Sequence, residues 1–196
     1  MRRLVYTLGM TDPTGQPAPE APARASGIFL IGPMGSGKSA VGRMLARLCG
    51  RAFVDSDVEI ERRTGVDINF IFEKEGEAGF RAREREVIDD LTRRPGIVLA
   101  TGGGAVLLPE NRAALALRGV AVYLEASVEQ QVERTRRGRH RPLLLAADPA
   151  VRLAELMQVR EPLYRGTAQV VVPTDRRKVQ AVAEEIAAEL ERRALL

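Results

Sequence analysis

The sequence predicts an α/β fold in which a parallel sheet is wrapped by helices. Three observations carry this prediction. Short apolar runs of strand length alternate with segments of helical periodicity from residue 26 onward, the pattern that builds strand–helix–strand crossovers. Gly32-Pro33-Met34-Gly35-Ser36-Gly37-Lys38-Ser39 fits G-x-x-x-x-G-K-[ST], a phosphate-binding loop, and lies between the first such strand and the first such helix. Asp55-Ser56-Asp57 and Thr101-Gly102-Gly103-Gly104 each follow directly on another strand, and open α/β sheets bind ligands at these carboxyl ends.

Residues 1–25 are expected to be a disordered tail, because Pro13, Pro17, Pro19 and Pro22 sit among small polar residues that cannot bury enough surface to fold. Arg2-Arg3 followed by Leu4 to Leu8 faintly resembles a signal peptide. Its apolar part is minimal and a proline-rich segment follows, so export is not expected. Residues 26–196 are expected to form one domain with a sizeable core.

The run Ile28-Phe29-Leu30-Ile31 reads as a buried strand, and Val41, Met44, Leu45 and Leu48 recur at helical spacing after the loop. Within the loop, Gly32, Gly35 and Gly37 allow a tight backbone whose N–H groups converge on a phosphate at a helix N-terminus. Lys38 can bridge β- and γ-phosphates, and the Ser39 hydroxyl suits Mg²⁺. Arg51 to Val54 is a second strand leading into Asp55-Ser56-Asp57. Alternation along an extended chain would put the two aspartates on one side. One can hold Mg²⁺ through water and the other can orient or deprotonate a hydroxyl. The plainer alternative is an Asx turn with a helix N-cap.

Ile68 to Phe72 and Gly79 to Leu91 follow as helical segments. In the second, Phe80, Glu84, Val87, Ile88 and Leu91 form one stripe, which puts a carboxylate on an apolar face. Arg81, three residues earlier, can pair with it. The pair is either structural or a device that presents the Arg81 fork to a substrate carboxylate. Gly96 to Ala100 is a third strand, and the three glycines after it mark a close approach by a ligand or another backbone. Gly119 to Leu124 is a fourth strand, followed by a helix from Val128 to Arg137. Arg134, Arg136, Arg137, Arg139 and Arg141 then repel one another unless an anion neutralises them, so a mobile lid is expected at about 138–150. His140 within it is expected to face solvent without a metal or acid–base role. A helix ending near Arg160 to Tyr164, a strand from Ala168 to Val172 and a closing amphipathic helix complete the chain.

Composition narrows the partners. The formal charge is +4, but aromatics are only 4% and do not interleave with the arginines. Stacking platforms for bases are therefore absent from the pattern, and an anion site is favoured over nucleic acid. No apolar run reaches the roughly 18–20 residues of a membrane span. Cys49 is the only cysteine, which suits a reducing compartment and a small core residue. A cytoplasmic monomer without nucleic-acid or membrane partners is expected.

From about Ile28 to the last helix the chain resembles the shikimate kinases. The resemblance rests on the phosphate loop, Asp55-Ser56-Asp57, Gly76-Glu77…Phe80-Arg81…Glu84, Thr101-Gly102-Gly103-Gly104, Arg141-Pro142-Leu143-Leu144 and Arg160…Tyr164-Arg165. It implies a nucleoside-monophosphate-kinase-like fold with a five-stranded sheet of order 2-3-1-4-5. The implied reaction moves the γ-phosphate of ATP to the 3-hydroxyl of shikimate, giving ADP and shikimate 3-phosphate in the chorismate pathway of aromatic amino-acid biosynthesis. Residue by residue, Gly35, Ser36, Gly37, Lys38, Ser39, Ala40, Arg134, Arg141 and Arg177 are expected at ATP. Asp57, Arg81, Gly102, Gly103, Gly104 and Arg160 are expected at shikimate. Ser39 and Asp55 are expected in the Mg²⁺ shell, while Lys38, Asp57 as base and the lid residue Arg141 act in transfer. The chain departs from the family where Val179 follows Thr174 to Lys178, a place at which proline is common. Rival readings are a kinase of another small hydroxylated metabolite such as gluconate, a nucleoside-monophosphate kinase, a kinase-like ligand-sensing domain and a basic nucleic-acid-binding protein. The joint presence of Asp-Ser-Asp and the triple glycine, with no helix-turn-helix before residue 26, favours the first assignment.

Overall fold

A computed structural model describes residues 27–136 and 148–195. The tail, His140, Arg141 and most of the expected lid lie outside them. The chain alternates β1 (Gly27–Ile31), α1 (Lys38–Leu48), β2 (Ala52–Asp55), α2 (Ser56–Thr64), α3 (Ile68–Leu91), β3 (Ile97–Ala100), α4 (Pro109–Leu117), β4 (Val120–Glu125), α5 (Val128–Thr135), α6 (Pro149–Thr167), β5 (Val170–Pro173) and α7 (Val179–Arg192). The five strands form one sheet of order 2-3-1-4-5, and every pairing is parallel. This is the order the family resemblance implies.

The central strand β1 explains why its sequence is apolar without alternation. Phe29 and Ile31 face one core layer with Ile60, Ile71, Phe80, Leu91 and Tyr164. Ile28 and Leu30 face the other, with Leu45 of α1 and Val182, Ile186 and Leu190 of α7. Both faces of a parallel sheet are covered, so both sets of side chains must be apolar. Cys49, at the end of α1, packs against this second layer, and burial raises its thiol pKa.

Four expectations change in detail. The carboxylate triplet is not extended: α2 starts at Ser56, with Asp55 as its N-cap, and the Asp55 side chain accepts the Asp57 amide. The two helical segments at 68–91 run together but break at Gly76, whose φ of 71° and ψ of −175° only glycine adopts cheaply. Of the expected lid, Asp148 instead caps α6, which starts at Pro149. That helix runs through Pro162 to Thr167, past the end expected near Arg160 to Tyr164. Buried Arg160 and Tyr164 lie on either side of Pro162.

Candidate active site

The phosphate loop occupies the turn from β1 to α1. Gly37, the residue before the helix, has φ 92°, and Gly32 has φ 141° with no room for a Cβ, which would stand 2.6 Å from the Leu124 carbonyl. Those two positions require glycine. Lys38 opens α1 and is buried, and its Nζ donates to the carbonyls of Gly32 and Pro33, both at 2.7 Å. The ammonium is thus held over the loop, beside a helix N-terminus that carries no acidic residue in its first turn. This is a positive cradle for phosphate.

Beside the loop, β2 ends in the carboxylates. Asp55 Oδ2 accepts the Ser39 hydroxyl at 2.6 Å, while Oδ1 accepts the Asp57 amide at 3.1 Å. The capping reading and the functional reading of the triplet therefore hold together in one side chain. Ser56, fully buried, links the triplet to the glycine turn: its hydroxyl accepts the Gly102 amide at 3.0 Å and donates to Asp57 Oδ1 at 3.4 Å. Asp57 is pushed up to about 7, first by burial, then by the charges of Asp55 and Glu84, with Lys38 pulling against them. A carboxyl at that value exchanges its proton near neutrality.

Opposite stands a second charged group. Glu84 is fully buried in the apolar stripe of α3 and accepts from Arg81 Nη1 at 2.7 Å. Burial raises its pKa and Arg81 opposes the rise. The other edge of the Arg81 guanidinium, Nε and Nη2, donates to Glu77 Oε1 at 3.3 and 3.0 Å. A guanidinium has five N–H groups, so its remaining donors stay available to an anion. Arg160 of α6, only 6% exposed, joins Arg81 in the cavity wall. The triple glycine is explained by its neighbours. A Cβ at Gly102 would stand 2.7 Å from Glu84 Oε1 and 2.8 Å from Asp57 Oδ1, and one at Gly104 would overlap the Arg81 guanidinium. Charged side chains, besides ligand or backbone, are what approach here.

These groups line one cavity of about 680 Å³: Gly35, Gly37, Lys38, Ser39, Ala40, Asp55, Asp57, Arg81, Gly102, Gly103, Gly104, Arg134 and Arg160 all border it. Ile68, Phe72 and Phe80 add an apolar wall. Arg134 is fixed at one end, donating to the carbonyls of Gly35 at 3.0 Å and Thr174 at 2.7 Å. Ser36, within the loop, is fully buried and does not border the cavity. Arg177 is not brought to the cavity wall; its side chain donates to the Pro173 carbonyl at 3.0 Å and to Glu185. Arg141 lies outside the described residues. The residue pattern did not mark Ser56 or Glu77 for these contacts, although the i, i+4 spacing of Glu77 and Arg81 was a usable signal for the second.

Fold and site together define a phosphate-loop kinase of small molecules, with the loop, two carboxylates and the arginines Arg81 and Arg160 bordering one cavity. A family model described as shikimate kinase matches residues 34–191. The shikimate kinases of Methylococcus capsulatus and Halorhodospira halophila are 57% and 58% identical to this chain, over 81% and 82% of it and 89% and 91% of their own length. A solved shikimate kinase from Acinetobacter baumannii in complex with shikimate superposes with TM-score 0.85 at 48% identity, covering 87% of this chain and 96% of that one. The chain belongs to the shikimate kinase family. A gluconokinase from Sinorhizobium meliloti, with 20% identity and TM-score 0.57, shares the fold.

Proposed function

We propose that the protein phosphorylates the 3-hydroxyl of shikimate with ATP, and that Asp57 is the base. The observation that carries this reading is the position of Asp57 in the shared cavity, within electrostatic reach of Lys38 on the donor side and Glu84 on the acceptor side. Shikimate offers one carboxylate and vicinal hydroxyls. Arg81, held on two edges by Glu77 and Glu84, and Arg160 suit the carboxylate. The glycine turn lets the ring lie close to the backbone, and Asp57 takes the proton of the attacking hydroxyl. On the donor side the loop amides and Lys38 hold the phosphates, Arg134 flanks the adenine, and Arg177 belongs to the same nucleotide end. Arg141, by the family resemblance, neutralises the transferring phosphoryl group. Such transfer depends mainly on positioning and charge stabilisation.

Ser39 Oγ and Asp55 Oδ2, 2.6 Å apart beside the loop, are a hard-oxygen pair that fits Mg²⁺ kept partly hydrated. Among the described residues no group of three His, Cys, Asp or Glu side chains could hold a metal, so the ligands beyond Ser39 and Asp55 would come from the nucleotide phosphates and water. A cation held there would supply charge neutralisation to the nucleotide phosphates. No helix of the described residues is long and apolar enough to cross a membrane. A cytoplasmic monomer is part of the same proposal.

A coupled ADP-release assay with shikimate, gluconate, AMP and CMP as acceptors tests the assignment. Turnover with shikimate alone is the expected result, and preference for any other acceptor overturns it.

A further inference from the structure

Three successive glycines cannot hold their own backbone conformation, because each has wide conformational freedom. The turn at Gly102 to Gly104 must be pinned from outside. One pin is Ser56, which accepts the Gly102 amide at 3.0 Å. The other comes from α6. One turn beyond Arg160, fully buried Tyr164 donates its hydroxyl to the Gly103 carbonyl. The flanking carbonyls are used within the backbone: Gly102 accepts the Ala105 amide at 3.1 Å and Gly104 accepts the Leu107 amide at 3.0 Å. Gly103 alone in the triplet has its carbonyl tied to another helix. Its opposite side lies against the phosphate loop, where a Cβ would stand 3.3 Å from Met34 N and 3.6 Å from the Gly32 carbonyl. The Tyr164 ring is fixed in turn, stacked on Tyr123 of β4 with centroids 5.1 Å apart and planes 21° apart.

We propose that Tyr164 is a positioning residue: its hydroxyl holds the glycine turn in register with Arg160 and the phosphate loop. The proposal rests on the assignment of that turn and Arg160 to the acceptor. Tyr123 supplies an internal control. It is equally buried and lies in the same stack, but its hydroxyl has no hydrogen-bond partner among the described residues.

The test compares Tyr164→Phe with Tyr123→Phe in the full chain, both of which keep the ring and its packing. Tyr164→Phe removes the hydroxyl from both the Gly103 carbonyl and the neighbouring Arg160 guanidinium, so it should raise the KM for shikimate at least about threefold, the equivalent of one neutral hydrogen bond, with the KM for ATP unchanged. It should also speed amide exchange of the unliganded protein over residues 102–107. Tyr123→Phe should do neither. Equal shifts in the two variants, or unchanged exchange across the turn after Tyr164→Phe, overturn the proposal. Wild-type protein inactive on shikimate would overturn the acceptor assignment instead, and the exchange comparison would still decide the role of Tyr164.

Discussion

The Arg81 guanidinium rests on the Cα of Gly104, so closely that a Cβ there would stand 2.5 Å from both Cζ and Nη1. Gly104 has φ −98°, an angle any residue can adopt, so its backbone does not demand glycine. The neighbour does.

Gly104→Ala should therefore fold and still displace Arg81 from between Glu77 and Glu84. A hydrogen bond to a charged group contributes roughly 1.5–3 kcal/mol, so the KM for shikimate should rise about ten- to a hundredfold. The KM for ATP should stay within about twofold of wild type, since the proposed cradle for the donor phosphates is the loop and not α3. Steady-state kinetics with each substrate varied in turn checks both; an unchanged shikimate KM would mean that Arg81 can move without loss.

Arg81→Lys keeps the charge and loses the fork. Acceptor affinity should again fall about tenfold or more on the same scale. A shikimate analogue with a carboxamide in place of the carboxylate should be a poor substrate for the wild type and lose much less in the variant. The coupling between the two changes is the measurement. If acid and amide weaken by the same factor, Arg81 serves only as the partner of Glu84.

Asp57 gives a prediction in pH. Its folded value of about 7 stands above the ordinary 3.8, so between these values the folded chain holds a proton that the unfolded chain has released. Stability must then fall as pH rises from about 4 to about 7, by at most about 4 kcal/mol from this group. With Asp57 as the proposed base, turnover runs the other way, rising toward a plateau above about 7 as it ionises. Asp57→Asn should lose most of the rate, roughly a hundredfold or more, and keep ATP binding. It should also gain stability over the wild type at pH 8, an advantage that shrinks toward pH 4. Denaturant unfolding at both pH values checks the sign, and a variant less stable at pH 8 would show that burial is not what raises Asp57.

Much of this site is legible in the sequence because its signals are short-range. The loop motif lies within a single turn, and the buried pair of Glu84 and Arg81 follows from a stripe that repeats every helical turn. The Asp55 and Asp57 pair is legible as a pair, but not in its geometry. An extended chain and a helix N-terminus both leave two residues i and i+2 near one crevice, and the Asp55 cap on the Asp57 amide favours the helix. The convergence of Arg160 with Arg81 is legible only through the family resemblance, because no local period connects α6 to α3.

By itself, then, the sequence determined the alternation of strands and helices, the phosphate loop, and the acid and base residues available at the strand ends. These depend on residues within a few positions of one another. Only the tertiary structure decided why Gly102 and Gly104 must lack a side chain, that Arg81 is held by both Glu77 and Glu84, and how the Tyr164 hydroxyl reaches Gly103. It also decided the proton affinity of Asp57, which sums burial with the fields of Asp55, Glu84 and Lys38 from different elements. Close packing and Coulomb interaction act through space, and folding brings together groups that the order of residues keeps apart.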